Sequence, residues 1–187
     1  MSFELLKKTV VTGADGMGKS QLISNLISPP FSLHYLGHEG GPIESASDAA
    51  LRLLSFAISP PGLLDRCCAV DDPIYSTAFD RQAQVDWNFY SDFLQEVDPL
   101  IIFVDNDEPA VCETAKAHKS PQLLAGVQEK AQLIRELYHE RIAYLEDDLG
   151  LEVFYYNWRV DQTAKKLMRR LYQSQIVLSE EDFPCVD

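Results

Sequence analysis

Residues 9–20 read TVVTGADGMGKS: a β-branched run, a glycine-rich turn and a Lys-Ser pair that opens the helical stretch QLISNLI. No other stretch restricts the fold as much. A turn of this kind aims several backbone N–H groups at one spot in front of a helix N-terminus, and such a spot holds phosphate oxygens. Residues 13–20, GADGMGKS, match the pattern G-x-x-x-x-G-K-[ST] without a mismatch. Gly13, Ala14, Asp15, Gly16, Met17 and Gly18 form the cradle, Lys19 reaches the β and γ phosphates, and Ser20 ligates Mg²⁺. The reading is nucleotide binding. A surface turn that matches by chance is the alternative, against which the order strand, loop, helix weighs. What the loop leaves open is whether water, a hydroxyl or another phosphate receives the phosphoryl group.

With 187 residues, 46% of them hydrophobic, the chain suits one sizeable core, and residues 1–187 are read as a single domain. Strands are predicted at 9–12, 33–37, 62–66, 100–105 and 152–158, and helices at 20–27, 46–58, 74–97, 123–149 and 162–176. Continuous apolar runs such as LIIFV suit strands covered on both faces. The fold class is therefore α/β, a three-layer α/β/α sandwich on a five-stranded parallel sheet. The acidic tail at 178–187 is expected to pack weakly.

A formal charge of −13 makes polynucleotides and anionic membranes poor partners, since the surface repels both. The four cysteines, with Cys67 and Cys68 adjacent, show no CxxC spacing and read as reduced thiols of a cytoplasmic protein. His34, His38, His118 and His139 have no zinc-site spacing. The N-terminus lacks an apolar signal core, and no run approaches a membrane span. A GTPase would carry an NKxD motif, which is absent; LIIFVDND at 100–107 has the look of an ATPase strand, but such ATPases need a longer chain.

The order of motifs resembles the thymidylate kinase and deoxynucleoside kinase group of P-loop kinases. TGADGMGKS resembles the thymidylate kinase loop; HEGGPIES at 38–45 is similar to the Arg-Glu-Pro-Gly-Gly segment near the acceptor; LLDRCCAVDDPIY at 63–75 resembles the Asp-Arg motif that ends the third strand. AKAHKSP falls in the place of the mobile lid, about 114–122, and YYNWRVD at 155–161 in that of the adenine-side loop. The spacing from Asp65 to Tyr75 looks like the short bacteriophage members. The resemblance implies a P-loop kinase fold and an ATP- and Mg²⁺-dependent transfer to a small-molecule deoxynucleotide, foremost a pyrimidine deoxynucleoside monophosphate. Its rivals are a nucleoside kinase, a kinase of modified bases in DNA, and a nucleotide-binding regulator without turnover. A homodimer through 74–97 and 123–149 would suit the family.

In a parallel sheet, functional groups gather at the carboxyl ends of the strands, and Glu39, Asp65, Arg66 and Asp105 fall there. Glu39 takes a proton from an acceptor hydroxyl or binds a sugar hydroxyl, or else is a solvated loop acid. Asp65 helps to hold Mg²⁺ and Arg66 grips an acceptor phosphate as a bidentate fork, or the two form a structural ion pair. Tyr75, Phe79, Trp87, Phe89 and Tyr90 offer an aromatic wall to a base, or are core. Phosphoryl transfer needs a cation on the transferring group, and the loop has no arginine. Lys116 and Lys119, with His118, are the lid candidates; Arg135 and Arg141 are the others. His38 stands where the family often has arginine. Arg159 stacks on adenine or pairs with Asp161.

Overall fold

Five short runs of β-branched and apolar residues pair into one parallel sheet: β1 (Thr9–Thr12), β2 (Tyr35–His38), β3 (Leu63–Asp65), β4 (Leu100–Val104) and β5 (Val153–Tyr156). Their order is β2-β3-β1-β4-β5. This computed structural model describes residues 7–29, 31–106 and 126–175. The lid candidates Lys116, His118 and Lys119 and the tail at 178–187 lie outside those residues.

β1, β3 and β4 are buried at every position, as their unbroken apolar runs require. The edge strand β2 is part exposed, and its register slips between Tyr35 and Gly37. Around the sheet lie α1 (Lys19–Ile27), α2 (Ala46–Ile58), α3 (Cys68–Ala78), α4 (Trp87–Val97), α5 (Ala131–Asp147) and α6 (Asp161–Gln175). α1 packs on β1 and β3, α6 on β5, and α3 contacts α2, α4 and α5. The architecture is the expected three-layer α/β/α sandwich.

α2 spans the predicted residues, with Ser45 as N-cap accepting from Asp48 N–H and with Ala49, Leu53 and Phe56 turned inward. The predicted helix at 74–97 is instead two helices. Asp80 takes a left-handed φ of 49° just past the end of α3, and Asp86 caps α4 by accepting from Asn88 N–H. α3 also starts earlier than expected, at Cys68. Its interior Pro73 has no amide to offer the carbonyl of Ala69, and Arg141 Nη2 of α5 donates to that carbonyl at 3.1 Å. Lys130 Nζ likewise donates to Ala78 O at the end of α3, at 2.6 Å. Two basic side chains thus supply the bonds that α3 cannot make for itself.

Going along the chain, β1 is followed by β2 at the edge, β3 comes back to fill the place between them, and β4 and β5 extend the sheet on the other side of β1. The order reverses at β1. In open parallel sheets the crevice at the carboxyl end of such a strand is where ligands bind, and here that end is the glycine loop.

Candidate active site

Gly13 leaves β1 with a φ of 140°, and a Cβ built there would lie 2.2 Å from Val104 O, so only glycine lets the loop turn against β4. Gly18 is the N-cap of α1 at φ 97°, and no side chain caps that helix. The first amides of α1 therefore face the loop's mouth, ready for an anion. Behind the loop, Asn106, 1% exposed, donates from Nδ2 to Met17 O at 2.9 Å. Its Oδ1 is buried without a partner among the described residues.

Lys19 Nζ turns back onto the carbonyls of Gly13 and Ala14, at 2.7 Å each. Burial, with the like charge of Arg66 next, lowers its pKa to about 7. Among the described residues its hydrogen bonds go to these neutral carbonyls, while the charges of Asp15, Asp71 and Asp65 oppose the shift. Ser20 is exposed in the first turn of α1.

β3 ends beside the loop and presents Asp65 and Arg66. His38 Nδ1 lies 3.0 Å from Asp65 Oδ2, while Asp65 Oδ1 is buried without a partner among the described residues. A hard cation that keeps most of its ligands as water and phosphate needs few protein oxygens, and the Ser20 hydroxyl with Asp65 Oδ1 fits Mg²⁺ in that manner. Arg66 adopts a left-handed φ of 68°, unusual for a side-chain-bearing residue. Its Nη2 donates to Asp15 Oδ1 at 2.7 Å, and its Nη1 reaches Asp71 Oδ1, Tyr138 Oη and Tyr75 Oη at 3.2, 3.0 and 3.3 Å. The guanidinium is thus engaged by carboxylates and phenols of the protein.

Asp71 organises this cluster. It accepts from Thr12 Oγ1 at the end of β1 at 2.9 Å, from Cys67 N–H at 2.9 Å, from Arg66 and from the Tyr138 hydroxyl. One buried carboxylate therefore ties β1, β3, α3 and α5 together. Sequence reading missed Asp71 and Tyr138. For Asp71 a signal exists, since an acid belongs in the first turn of a helix. Tyr138 lies in a long helix with nothing local to mark it.

Glu39 follows β2, its N–H bonded to Asp65 O at 2.9 Å, so the sheet carries it to the same edge. Its carboxylate accepts from Cys68 N–H, yet Oε2 is buried without a partner among the described residues. Burial raises its pKa to about 7, against the opposing pull of Arg52. Neighbouring strands lie about 4.8 Å apart, which places the ends of β2, β3 and β1 in one row about 10 Å long. Glu39, the Asp65-Arg66 pair and the glycine loop occupy that row.

Asp105, just beyond β4, is held by Arg135 through a bidentate pair at 2.9 and 2.8 Å and by His139 Nε2 at 2.9 Å. Arg141 bonds Ala69 O and lies over the Tyr144 ring, in the wall of a groove of about 350 Å³ shared with Trp87. It serves α3 and does not reach the loop. The aromatic wall is not assembled either. Tyr90 is fully buried with its hydroxyl on Asp72, Trp87 and Phe89 are 43% and 50% exposed, and Tyr75 alone joins the site, through Asp15 and Arg66. Arg159 lies over the Trp158 ring at 5.2 Å, and its N–H bonds Asn157 Oδ1 at 3.0 Å. Trp158, which sequence reading passed over, sets its indole against Gly18, where an added Cβ would be 3.0 Å from Cδ1.

No protein-family model matches the chain, and no curated protein matches it in sequence. Solved structures do match. The deoxyadenosine kinase of M. mycoides with bound dATP is 17% identical with a TM-score of 0.58, covering 88% of this chain and 99% of that one. The same kinase with bound dCTP is 20% identical, TM-score 0.58, with 89% and 99% covered. YorR of Bacillus subtilis, in complex with phosphorylated GDP, is 15% identical, TM-score 0.61, with 89% and 96% covered. The chain shares the fold of these P-loop proteins.

Proposed function

We propose that this chain is an ATP-dependent kinase that transfers the γ-phosphoryl group to the 5′-hydroxyl of a deoxynucleoside, as a single domain in the cytoplasm. The observation that carries this reading is Glu39: a half-buried carboxylate with a pKa near 7 and one oxygen unpartnered among the described residues, in the row that the glycine loop ends. Such a group is poised to take the proton of an attacking hydroxyl near neutral pH.

In this reading the loop amides and the open end of α1 bind the donor phosphates. Lys19 moves from the carbonyls of Gly13 and Ala14 to phosphate oxygens, a site where its charge is better matched. Ser20 and Asp65 hold Mg²⁺, which supplies charge neutralisation on the phosphates when bound. Trp158 and Arg159 border the base of the donor. Lys116 and Lys119 add positive charge from 114–122.

A deoxynucleoside monophosphate, the acceptor expected of a thymidylate kinase, is the second reading. It is favoured by Arg66, whose partner Asp15 is an acid on the loop, so that a phosphate dianion competes for the same Nη2. Radiolabelled ATP offered with each common deoxynucleoside and each monophosphate separates the two. Transfer to nucleosides alone supports the first reading, transfer to monophosphates alone replaces it with the second, and transfer to neither refutes both.

A further inference from the structure

Arg66 and Asp15 are neighbours in the row, one just past the end of the acceptor-side strand β3 and the other on the glycine loop. Their pair is short, 2.7 Å from Nη2 to Oδ1, and well shielded, with side-chain exposures of 9% and 18%. Tyr75 Oη bridges the two, 3.3 Å from Asp15 Oδ2 and 3.3 Å from Arg66 Nη1. An acid in a loop whose amides and helix end are arranged for anions requires a counter-charge. Left alone it would repel the phosphates that the loop binds. Paired with Arg66 it is neutralised, and its charge is also felt at Lys19, whose ammonium rests on the carbonyls of Gly13 and Ala14.

We propose that Asp15 acts as a built-in substitute for phosphate, holding Arg66 until a phosphate-bearing substrate displaces it. Asp71, Tyr75 and Tyr138 keep the guanidinium in place through Nη1, so only Nη2 changes partner and no large movement is needed. The exchange gives the transfer an arginine that the loop itself lacks. It also sets affinity: every phosphate bound must first compete with Asp15, so apparent binding is weaker than the site could provide. The phosphate belongs to the donor or to a monophosphate acceptor. Both carry the same chemistry, and separate titrations tell them apart. The inference rests on the reading of the loop as a phosphate site.

The test is calorimetric titration of Asp15→Asn with ATP and, separately, with deoxynucleoside monophosphates. The substitute predicts binding at least about threefold tighter than in the native chain for whichever ligand takes Arg66, because a competitor and a like charge are both removed. A purely structural ion pair predicts weaker binding and a lower melting temperature. Repeating the comparison with Arg66→Met separates release of the arginine from simple relief of repulsion. The gain disappears in that background if Asp15 acts through Arg66; a gain that persists there overturns the proposal. Asp15→Ser, which keeps a hydrogen-bond acceptor without the charge, serves as the second variant, and failure of both to fold would show the pair to be structural and likewise overturn it. If the native chain binds neither ligand, the phosphate-site reading falls and the substitute with it. If it binds but neither variant tightens, only the substitute falls.

Discussion

Lys19 and Glu39 are shifted toward the same pKa from opposite sides, each to about 7, and in each case burial is the main cause. Catalysis in our reading needs Glu39 deprotonated and Lys19 protonated, so kcat/KM should follow a bell centred near neutral pH. In Glu39→Gln the ascending limb should vanish from the residual activity while the descending limb stays, which a pH profile of initial rates would show. Stability follows the opposite sense for Glu39. Because its folded pKa is raised above 4.5, the folded state holds a proton that the unfolded state has lost, and stability from this group falls as pH rises from about 4.5 to about 7. Gly13 gives a prediction of another kind. Any side chain there meets Val104 O, so Gly13→Ala should displace the loop, lose most ATP binding and destabilise the fold by about 1–3 kcal/mol, as read from titration and denaturant melts. The loop was legible at this scale because its chemistry lies within eight consecutive letters. Asp71 and Tyr138 were not, since their bond spans 67 positions and no local pattern announces it.

At the scale of elements, apolar runs and periodicity were sufficient for the sheet and for α2. LIIFV is buried at all of its positions, as a strand covered on both faces must be. Periodicity failed where aromatic residues continue at helical spacing across a break. Phe79 and Trp87 flank residues 80–86, and what interrupts the helix is a left-handed Asp80 and the cap Asp86. Both are acids of the type that caps and turns favour, so the break was readable in principle. The dependence of α3 on α5 was not, because the carbonyl that Pro73 orphans finds its donor 72 positions away. Arg141→Met should keep the apolar contacts of that side chain and lose its hydrogen bond, costing about 1–3 kcal/mol in a denaturant melt. ATP binding should be little changed, since Arg141 does not reach the loop.

For the whole molecule, the topology does the positioning: β1 lies between β3 and β4, so residues from β2, β3 and the loop share one edge although the sequence separates them. The expectation of an α/β sandwich followed from alternation alone. The choice of acceptor did not, because it depends on which donors of Arg66 are already taken and which oxygen of Glu39 is not. Among the described residues no helix is long and apolar enough to cross a membrane. The central claim is that the glycine loop delivers a phosphoryl group to a small acceptor brought by the ends of β2 and β3. The most direct measurement is transfer from labelled ATP to deoxynucleosides by the native chain and by Lys19→Ala. The account predicts transfer by the native chain, a loss of at least about a hundredfold in the variant, and an unimpaired melting temperature, since the variant removes a buried charge whose pKa is already depressed. Undiminished transfer by Lys19→Ala, or none by the native chain to any nucleoside or nucleotide, would contradict it.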